Sequence, residues 1–219
     1  RIMGLKTRSG MARLAVTLAA LVAAALMITA AFVISPRHGL DFSVYLTGGQ
    51  SVIDAGGQLY TKEVQYREGS SLLFTYPPFS ALLFAVLAPF GQSLGLNIFT
   101  AISLLIAAAT AVLGVAYASR QPGVRAVLKH QWLRPLALAG IGFVVLLGPW
   151  RETLAFGQIN ILLFGLIMAD FLIKRDTWPT GLLTGVAAGL KLTPLVFGLY
   201  YLARGDWRGL RNMTFGFLA

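Results

Sequence analysis

The sequence predicts an all-α polytopic membrane protein. Hydrophobic residues fill 57% of its 219 positions and charged residues only 12%, about half the share that is usual in soluble domains. The apolar residues form several long runs, and residues 14–34 contain no charged side chain. A soluble all-helical protein with a large core is the alternative, but an uncharged run of this length is typical of a membrane helix. We therefore expect a single transmembrane domain over residues 1–219.

The first apolar run, ARLAVTLAALVAAALMITAAFVIS, is interpreted as a helix that stays in the membrane. It is too long for a signal peptide, whose apolar region has about 7–15 residues. Residues 1–13 include four cations and no acid, namely Arg1, Lys6, Arg8 and Arg13. Because cytoplasmic segments are enriched in Lys and Arg, we expect this end to be cytoplasmic and Ser35 to emerge on the outer face.

Residues 35–78 form the longest polar segment of the chain. Four of the eight acidic residues fall here, namely Asp41, Asp54, Glu63 and Glu68. The glycine pairs 48–49 and 56–57 are turn signals, and the segment ends in FTYPPF. Loops of this length without regular structure are uncommon unless they are functional. We expect an extracytoplasmic loop that carries the chemistry.

Five further apolar runs follow this loop. They cover residues 79–90, 94–119, 135–149, 159–173 and 180–203. Counting every run as one crossing gives six helices and leaves the basic loop 120–134 on the outside, against the positive-inside rule. The run 79–90 reaches only about 18 Å of a membrane core of about 30 Å, and GLKLTP can break the last run in two. The number of crossings stays open. The chain stops in the apolar TFGFLA, which suggests the N-terminal half of a longer protein.

Several kinds of chemistry are not expected. The chain has no cysteine, and its histidines, His38 and His130, show no ligand spacing. It lacks the P-loop, HExxH, GxSxG and dinucleotide-binding motifs. No dense group of acids suggests a metal, so we predict neither metal nor cofactor. The net charge of +10 comes mostly from Lys and Arg at the ends of apolar runs, where lipid headgroups explain them better than nucleic acid does.

Asp41 is the first candidate for chemistry. If the stretch from Asp41 onward is helical, Tyr45 and the glycines 48 and 49 share its face. An acid at a helix N-terminus is also ordinary capping. A half-desolvated carboxylate at the membrane–water boundary could instead act as general base toward a hydroxyl.

The further candidates are polar groups near or inside apolar runs. Tyr76 is held by the two prolines that follow it, or is simply an aromatic membrane-belt residue. Gln158 and Asn160 enter an apolar run, where unsatisfied amides are costly, so they either join helices or face a polar cavity. Lys191 lies about 11 residues into its run and needs a partner such as a lipid phosphate, unless its side chain extends to the interface. Arg151 and Glu152 can simply pair with each other.

Four blocks of the chain, taken in order, resemble glycosyltransferase family 87. They are DFSVYLTGGQSVIDAGGQLY, FTYPPFSALLFAVLAPF, RETLAFGQINILLFGLIMADF and GLLTGVAAGLKLTPLVFGLYYL. The resemblance covers about residues 38–205. It implies a GT-C-type transmembrane helix bundle whose first extracytoplasmic loop carries the catalytic acid, and Asp41 matches that acid. The family comprises actinobacterial polyprenol-phosphate-mannose-dependent α-(1→2)-mannosyltransferases, which act on phosphatidylinositol mannosides or branch lipomannan.

The resemblance implies a multi-pass plasma-membrane enzyme with its site on the extracytoplasmic side. Its donor would be polyprenyl-phosphate-mannose, and its acceptor a phosphatidylinositol mannoside or a lipomannan-type glycolipid. Asp41 would deprotonate the acceptor hydroxyl as it attacks the anomeric carbon with inversion. A cation would stabilise the leaving phosphate, and the candidates are Lys191, Arg151 and Arg67. We also expect Tyr45, Tyr76, Gln158 and Asn160 to bind substrate. A transporter or flippase and a non-catalytic scaffold are the alternatives.

Overall fold

The computed structural model describes residues 2–54, 57–67, 70–173 and 178–218, with the side chains of residues 2–9, 66 and 67 left aside. Most of these residues are helical, which confirms the predicted all-α class. The helices are α1 (Ile2–Ile34), α2 (Leu40–Ile53), α3 (Pro78–Ala85), α4 (Gly91–Ala118), α5 (Val124–Lys129), α6 (Leu133–Leu146), α7 (Gly148–Phe156), α8 (Asn160–Leu172), α9 (Leu182–Leu190), α10 (Phe197–Ala203) and α11 (Trp207–Leu218). Short 3₁₀ helices cover Ala88–Phe90 and Thr193–Val196.

Two stretches of the described chain are long and apolar enough to cross a membrane, Gly10–Ile34 and Ala88–Ala118. A third span results if α6 and the bent continuation α7 are counted together. The first stretch matches the predicted first helix. The run 79–90 is divided between two elements, since α3 ends at Ala85 and the second stretch begins at Ala88.

The described part of the polar segment 35–78 contains regular structure. It contains α2 and an antiparallel hairpin of β1 (Val64–Arg67) and β2 (Ser70–Leu72). Val64 pairs with Leu72, and the register shifts between Gln65 and Arg67. Pro77 caps α3 and Pro78 is its first residue, as expected for a ring that fixes φ and needs no N–H donor there.

The chain forms two compact units. The first comprises residues 1–36 and 104–152. Within it α1 packs along α6, and Gly142 allows this because a Cβ there would lie 2.6 Å from the Cα of Ala24. Arg134 donates to the hydroxyl of Thr17 at 2.9 Å, which ties the same two helices together.

The second unit comprises residues 37–103 and 153–219. Its core is aromatic, with Phe42 and Tyr45 of α2 packed on Phe84 of α3 and on Phe99 of α4. Helix α9 packs on α8 and α11. The single transmembrane domain over 1–219 remains a prediction.

Candidate active site

Helix α2 begins in a way that leaves the carboxylate of Asp41 free for other contacts. Gly39 precedes the helix with φ 63°, a left-handed conformation that suits glycine. The backbone N–H groups of His38 and Gly39 both donate to the carbonyl of Ala155 at 3.0 Å. Asp41 stands in the first turn, where a carboxylate interacts favourably with the helix dipole. Its described side-chain hydrogen bond, however, comes from Gln158 and not from an N–H group of its own helix.

Asp41 is joined to Lys191 by two side-chain amides in series. The Nε2 of Gln158 donates to Oδ2 of Asp41 at 2.5 Å. The Nδ2 of Asn160 donates to Oε1 of Gln158 at 2.8 Å. The Nζ of Lys191 donates to Oδ1 of Asn160 at 2.9 Å. All four side chains are half-buried. We call this set of four residues the amide bridge.

Chemistry fixes the direction of the amide bridge. An ammonium can only donate hydrogen bonds and an ionised carboxylate can only accept them. The carbonyl of Asn160 must therefore face Lys191, and the amino group of Gln158 must face Asp41. Both amide dipoles then point their positive ends at the carboxylate, and aligned hydrogen bonds of this kind strengthen one another.

Gln158 reaches Asp41 because the chain turns sharply between α7 and α8. Gly157 has φ 68°, and a Cβ on it would lie 2.7 Å from the Cβ of Phe42. The N–H of Gln158 then bonds the carbonyl of Thr153 at 2.9 Å. The buried side chain of Ile159 fixes the next residue in the core, so the two amides on either side of it are held at the start of α8.

Lys191 lies where the last apolar run breaks, as predicted for GLKLTP. Helix α9 ends at Leu190, and Lys191 is extended with φ −152° and ψ 130°. The buried hydroxyl of Ser80 donates to the carbonyl of Leu190, which ties this end to α3. Because Nζ bonds Asn160, the ammonium is held inside the unit by a polar partner.

Tyr45 and Tyr76 form an aromatic wall beside the amide bridge. Their rings lie 4.8 Å apart, and Nζ of Lys191 lies 5.6 Å from the centre of the Tyr76 ring, within reach of a cation–π contact. Tyr45 is fully buried, and burial raises the pKa of its phenol far above the ordinary range. The phenol is therefore neutral and cannot serve as a base at physiological pH.

A cavity of about 600 Å³ opens between α8 and the segment 193–200. Its walls are mainly apolar and include Leu163, Ile167, Phe171 and Phe197. Asn160 and Thr193 are polar members of the lining, so the cavity reaches the amide bridge through Asn160. This volume is typical of small-molecule sites.

The other two predicted phosphate ligands are Arg151 and Arg67. Arg151 belongs to the first unit, where Nε donates to Ser35 at 2.8 Å and lies 3.5 Å from Glu152. The pairing of Arg151 with Glu152 was one of the expectations. Ser35 donates in turn to Glu152 at 2.6 Å. The side chain of Arg67 lies outside the described residues. Among those that are described, no group of three or more His, Asp or Glu side chains could hold a metal ion.

Asp170 was not among the predicted site residues, although a lone acid inside the apolar run 159–173 is an unusual signal. Its side chain is fully buried. Its oxygens accept hydrogen bonds from the N–H of Gly181 at 3.1 Å and from the N–H and hydroxyl of Thr184 at 3.1 and 2.6 Å. The carboxylate of α8 thus caps α9 at the end opposite to Lys191.

The sequence profile of glycosyltransferase family 87 matches residues 74–219. A polyprenol-phosphate-mannose-dependent alpha-(1-2)-phosphatidylinositol mannoside mannosyltransferase of Mycolicibacterium smegmatis is 36% identical over 77% of this chain and 39% of its own length. The protein of that name from Mycobacterium tuberculosis is 35% identical over 78% of the chain and 41% of its length. A pentamannoside mannosyltransferase of Mycolicibacterium smegmatis is 34% identical over 77% and 38%. The chain therefore spans about two fifths of these relatives. No solved structure matches it significantly.

Proposed function

The chain belongs to glycosyltransferase family 87, and from that premise we propose that the whole protein transfers a mannosyl residue from polyprenyl-phosphate-mannose to a hydroxyl of a phosphatidylinositol mannoside. The names of the relatives support this donor and this class of acceptor. We further propose that the new linkage is α-(1→2). A lipomannan-type acceptor is the other acceptor that the assay below distinguishes.

The observation that carries this proposal is the amide bridge, which joins a carboxylate to an ammonium beside an apolar cavity. The carboxylate of Asp41 is a suitable base, since the described residues give its Oδ1 no hydrogen bond. The ammonium of Lys191 spends one of its three N–H donors on Asn160. The remaining donors can bind an anion such as a phosphodiester.

The chemical step follows from these two groups. As the acceptor oxygen attacks the anomeric carbon, its proton moves to Oδ1 of Asp41. The bond between the anomeric carbon and the phosphate oxygen breaks, and its electron pair leaves with the polyprenyl phosphate. Attack from the face opposite to the leaving group inverts a β-linked donor to an α product. A positioned base of this kind contributes about 10²–10⁴-fold to a rate.

Lys191 acts on the charge that develops on the leaving phosphate. A cation or donor aimed at such a charge contributes about 10²–10³-fold. The ring of Tyr76 limits the directions in which the ammonium can turn, because Nζ lies over its face. Tyr45 supports Tyr76 from the core, since it is fully buried and the two rings lie 4.8 Å apart. Arg67 and Arg151 remain predictions as further phosphate ligands.

The lipid part of the donor has a matching surface. The apolar cavity shares Asn160 with the amide bridge and extends along α8 toward Phe171. A prenyl chain in this cavity would leave its phosphate near Lys191. This arrangement favours a lipid-linked sugar over a nucleotide sugar, whose base and ribose need more polar partners than these mainly apolar walls offer.

We propose that the protein is a multi-pass plasma-membrane protein whose site faces the extracytoplasmic side, on the loop 35–78. Two observations support this. The residues before the first membrane-length helix are basic without any acid, and such segments stay cytoplasmic. In the sequence, Asp41 follows the end of that helix by seven residues, which suits chemistry at the depth of lipid headgroups.

The test is hexose transfer by the whole purified protein and by Asp41→Asn. Polyprenyl-phosphate-mannose is supplied with a phosphatidylinositol mannoside or with lipomannan, and the acceptor mass is measured. We expect a gain of one hexose on the phosphatidylinositol mannoside, reduced at least 100-fold by Asp41→Asn. Asp54→Asn is the matched control, because Asp54 is exposed at the other end of α2.

Each outcome of this assay distinguishes between the candidate roles, acceptors and functions. Equal transfer by Asp41→Asn and the unchanged protein would remove Asp41 as the base and leave the enzyme class intact. Transfer to lipomannan alone would correct the acceptor. Movement of the donor across a vesicle membrane without a new glycosidic bond would favour a flippase. Cleavage of the product by an α-(1→2)-specific mannosidase tests the linkage.

A further inference from the structure

The amides of Gln158 and Asn160 already bond protein partners, although both residues were expected to bind substrate. Each spends one of its two N–H donors on one neighbour and one of its two carbonyl lone pairs on another. A sugar hydroxyl that took over one of these bonds would break the connection between Asp41 and Lys191. The geometry thus favours a role that acts through these two charged groups.

We propose that Gln158 and Asn160 are positioning residues, which hold the carboxylate of Asp41 and the ammonium of Lys191 at a fixed separation and bind no sugar. The inference rests on the proposed function and concerns the same site. It says that the correct spacing of base and cation is built into the protein before substrate arrives.

The spacing matters because the displacement is in line. The attacking hydroxyl and the leaving phosphate stand on opposite sides of the anomeric carbon, so the group that serves one must be kept away from the group that serves the other. Without a bridge, Asp41 and Lys191 would attract each other and could close into a direct ion pair. Two amides between them keep the charges apart while satisfying one hydrogen-bonding site on each.

The amide bridge also restrains a flexible side chain. Lysine carries its charge on a four-carbon stem with many rotamers. The bond to Asn160 and the face of Tyr76 hold Nζ from two sides. Because Asn160 is the first residue of α8 and Lys191 directly follows α9, their contact fixes the ammonium relative to two packed helices. A displacement of about 1 Å at a reacting group can cost about 100-fold in rate.

The proposal requires amides in particular. Each must donate at one end and accept at the other, which a carboxylate cannot do. Asn160→Asp keeps an oxygen for Lys191 but sets a second oxygen against Oε1 of Gln158. Gln158→Met keeps the length of the side chain and removes both its donor and its acceptor. Both variants should break the bridge while preserving the volume of the site.

The test is steady-state transfer by the whole protein in proteoliposomes, with polyprenyl-phosphate-mannose and the phosphatidylinositol mannoside varied in turn. For Asn160→Asp and Gln158→Met we expect kcat to fall about 30–300-fold, with both KM values within about threefold of the unchanged protein. The double variant should be no slower than the slower single one, since residues that act as a unit are not additive. Gln50→Met is the matched control, because Gln50 makes the same amide-to-aspartate bond to Asp54 at the exposed end of α2.

Two results would overturn the proposal. A rise in either KM of tenfold or more with kcat unchanged would show that these amides bind substrate. Kinetic constants within about twofold of the control would show that the bridge has no role. Asp41→Asn and Lys191→Met in the same assay separate this failure from that of the proposed function. If both remain fully active, the base and the cation are wrong; if both lose activity while the amide variants keep it, only the bridge is wrong.

The experiment also distinguishes a folding defect from a loss of positioning. Melting temperatures are measured for every variant, and Asn160→Ser and Gln158→Ala repeat the kinetics with smaller side chains. A loss of kcat that tracks melting temperature across all variants, including Gln50→Met, would overturn the positioning role in favour of a purely structural one. A loss confined to the bridge variants, at unchanged melting temperature, supports it.

Discussion

Replacing Asp170 by alanine should destabilise the protein by about 3 kcal/mol. The carboxylate is fully buried and accepts three hydrogen bonds at the start of α9. Alanine leaves the N–H groups of Gly181 and Thr184 inside the protein without their acceptor. The hydroxyl of Thr184 also loses its partner, but it can rotate toward a carbonyl of its own helix.

The magnitude follows from the two backbone donors. A buried polar group without a partner costs about 1–3 kcal/mol. Two such groups together cost about 2–6 kcal/mol. Removing the buried charge of Asp170 also removes part of its desolvation penalty, so we expect a net loss in the lower half of that range. Asp170→Asn keeps one oxygen for Thr184 and turns its amino group toward the N–H of Gly181, so we expect about half the loss.

Thermal unfolding of the whole protein in detergent, followed by tryptophan fluorescence, measures the effect. For a cooperatively unfolding unit of about 150–250 residues, about 3 kcal/mol corresponds to about 6–12 °C in Tm. Asp54→Ala is the control, because its contacts with Gln50 and Lys62 are exposed and exposed ion pairs contribute about 0–1 kcal/mol. An Asp170→Ala protein that melts within 2 °C of the unchanged one would refute the reasoning, as would an Asn variant less stable than the Ala variant.

Two further predictions concern α2. Gly49→Ala should destabilise the protein by about 1–3 kcal/mol, because the added Cβ would lie 2.6 Å from backbone atoms of Phe84 and the next residue. Gly114→Ala is the control, since its Cβ would meet nothing within 4 Å, and it should be neutral or stabilising in the same melting assay. Equal effects of the two substitutions would contradict the packing argument. The unfolded chain releases the proton of Tyr45 above pH about 10 while the folded protein keeps it, so stability falls as pH rises, by up to about 1.4 kcal/mol per pH unit from this group. Tyr45→Phe should reduce the slope of stability against pH between pH 10 and 11. Tyr60→Phe, at an exposed position, should leave that slope unchanged. Identical slopes for the two variants would argue against the role of the buried phenol.

Sequence reasoning found the ends of the amide bridge because each end carries a local signal. Asp41 follows an apolar run and begins a helix whose face also carries Tyr45. Lys191 is a cation inside an apolar run, next to the sequence that breaks its helix. Signals of this kind depend on a few neighbouring residues, so one chain suffices to detect them.

The connection between those ends could not be predicted. Gln158 and Asp41 are 117 positions apart, and nothing in either local sequence says that their side chains meet. Arg151, whose described contacts include Ser35 and Glu152, remains a prediction as a phosphate ligand. Contacts of this range depend on how the helices pack.

The α8–α9 pair is held at both ends by polar contacts, Asp170 with Thr184 at one and Asn160 with Lys191 at the other. Ten residues of α8, about 15 Å, separate the two points of attachment on that helix. Deleting one residue between them would rotate Asn160 by about 100° relative to Asp170, so only one of the two contacts could survive. We therefore expect this stretch to tolerate substitutions better than insertions or deletions. Among homologues, the length of this segment should be inherited more faithfully than its composition.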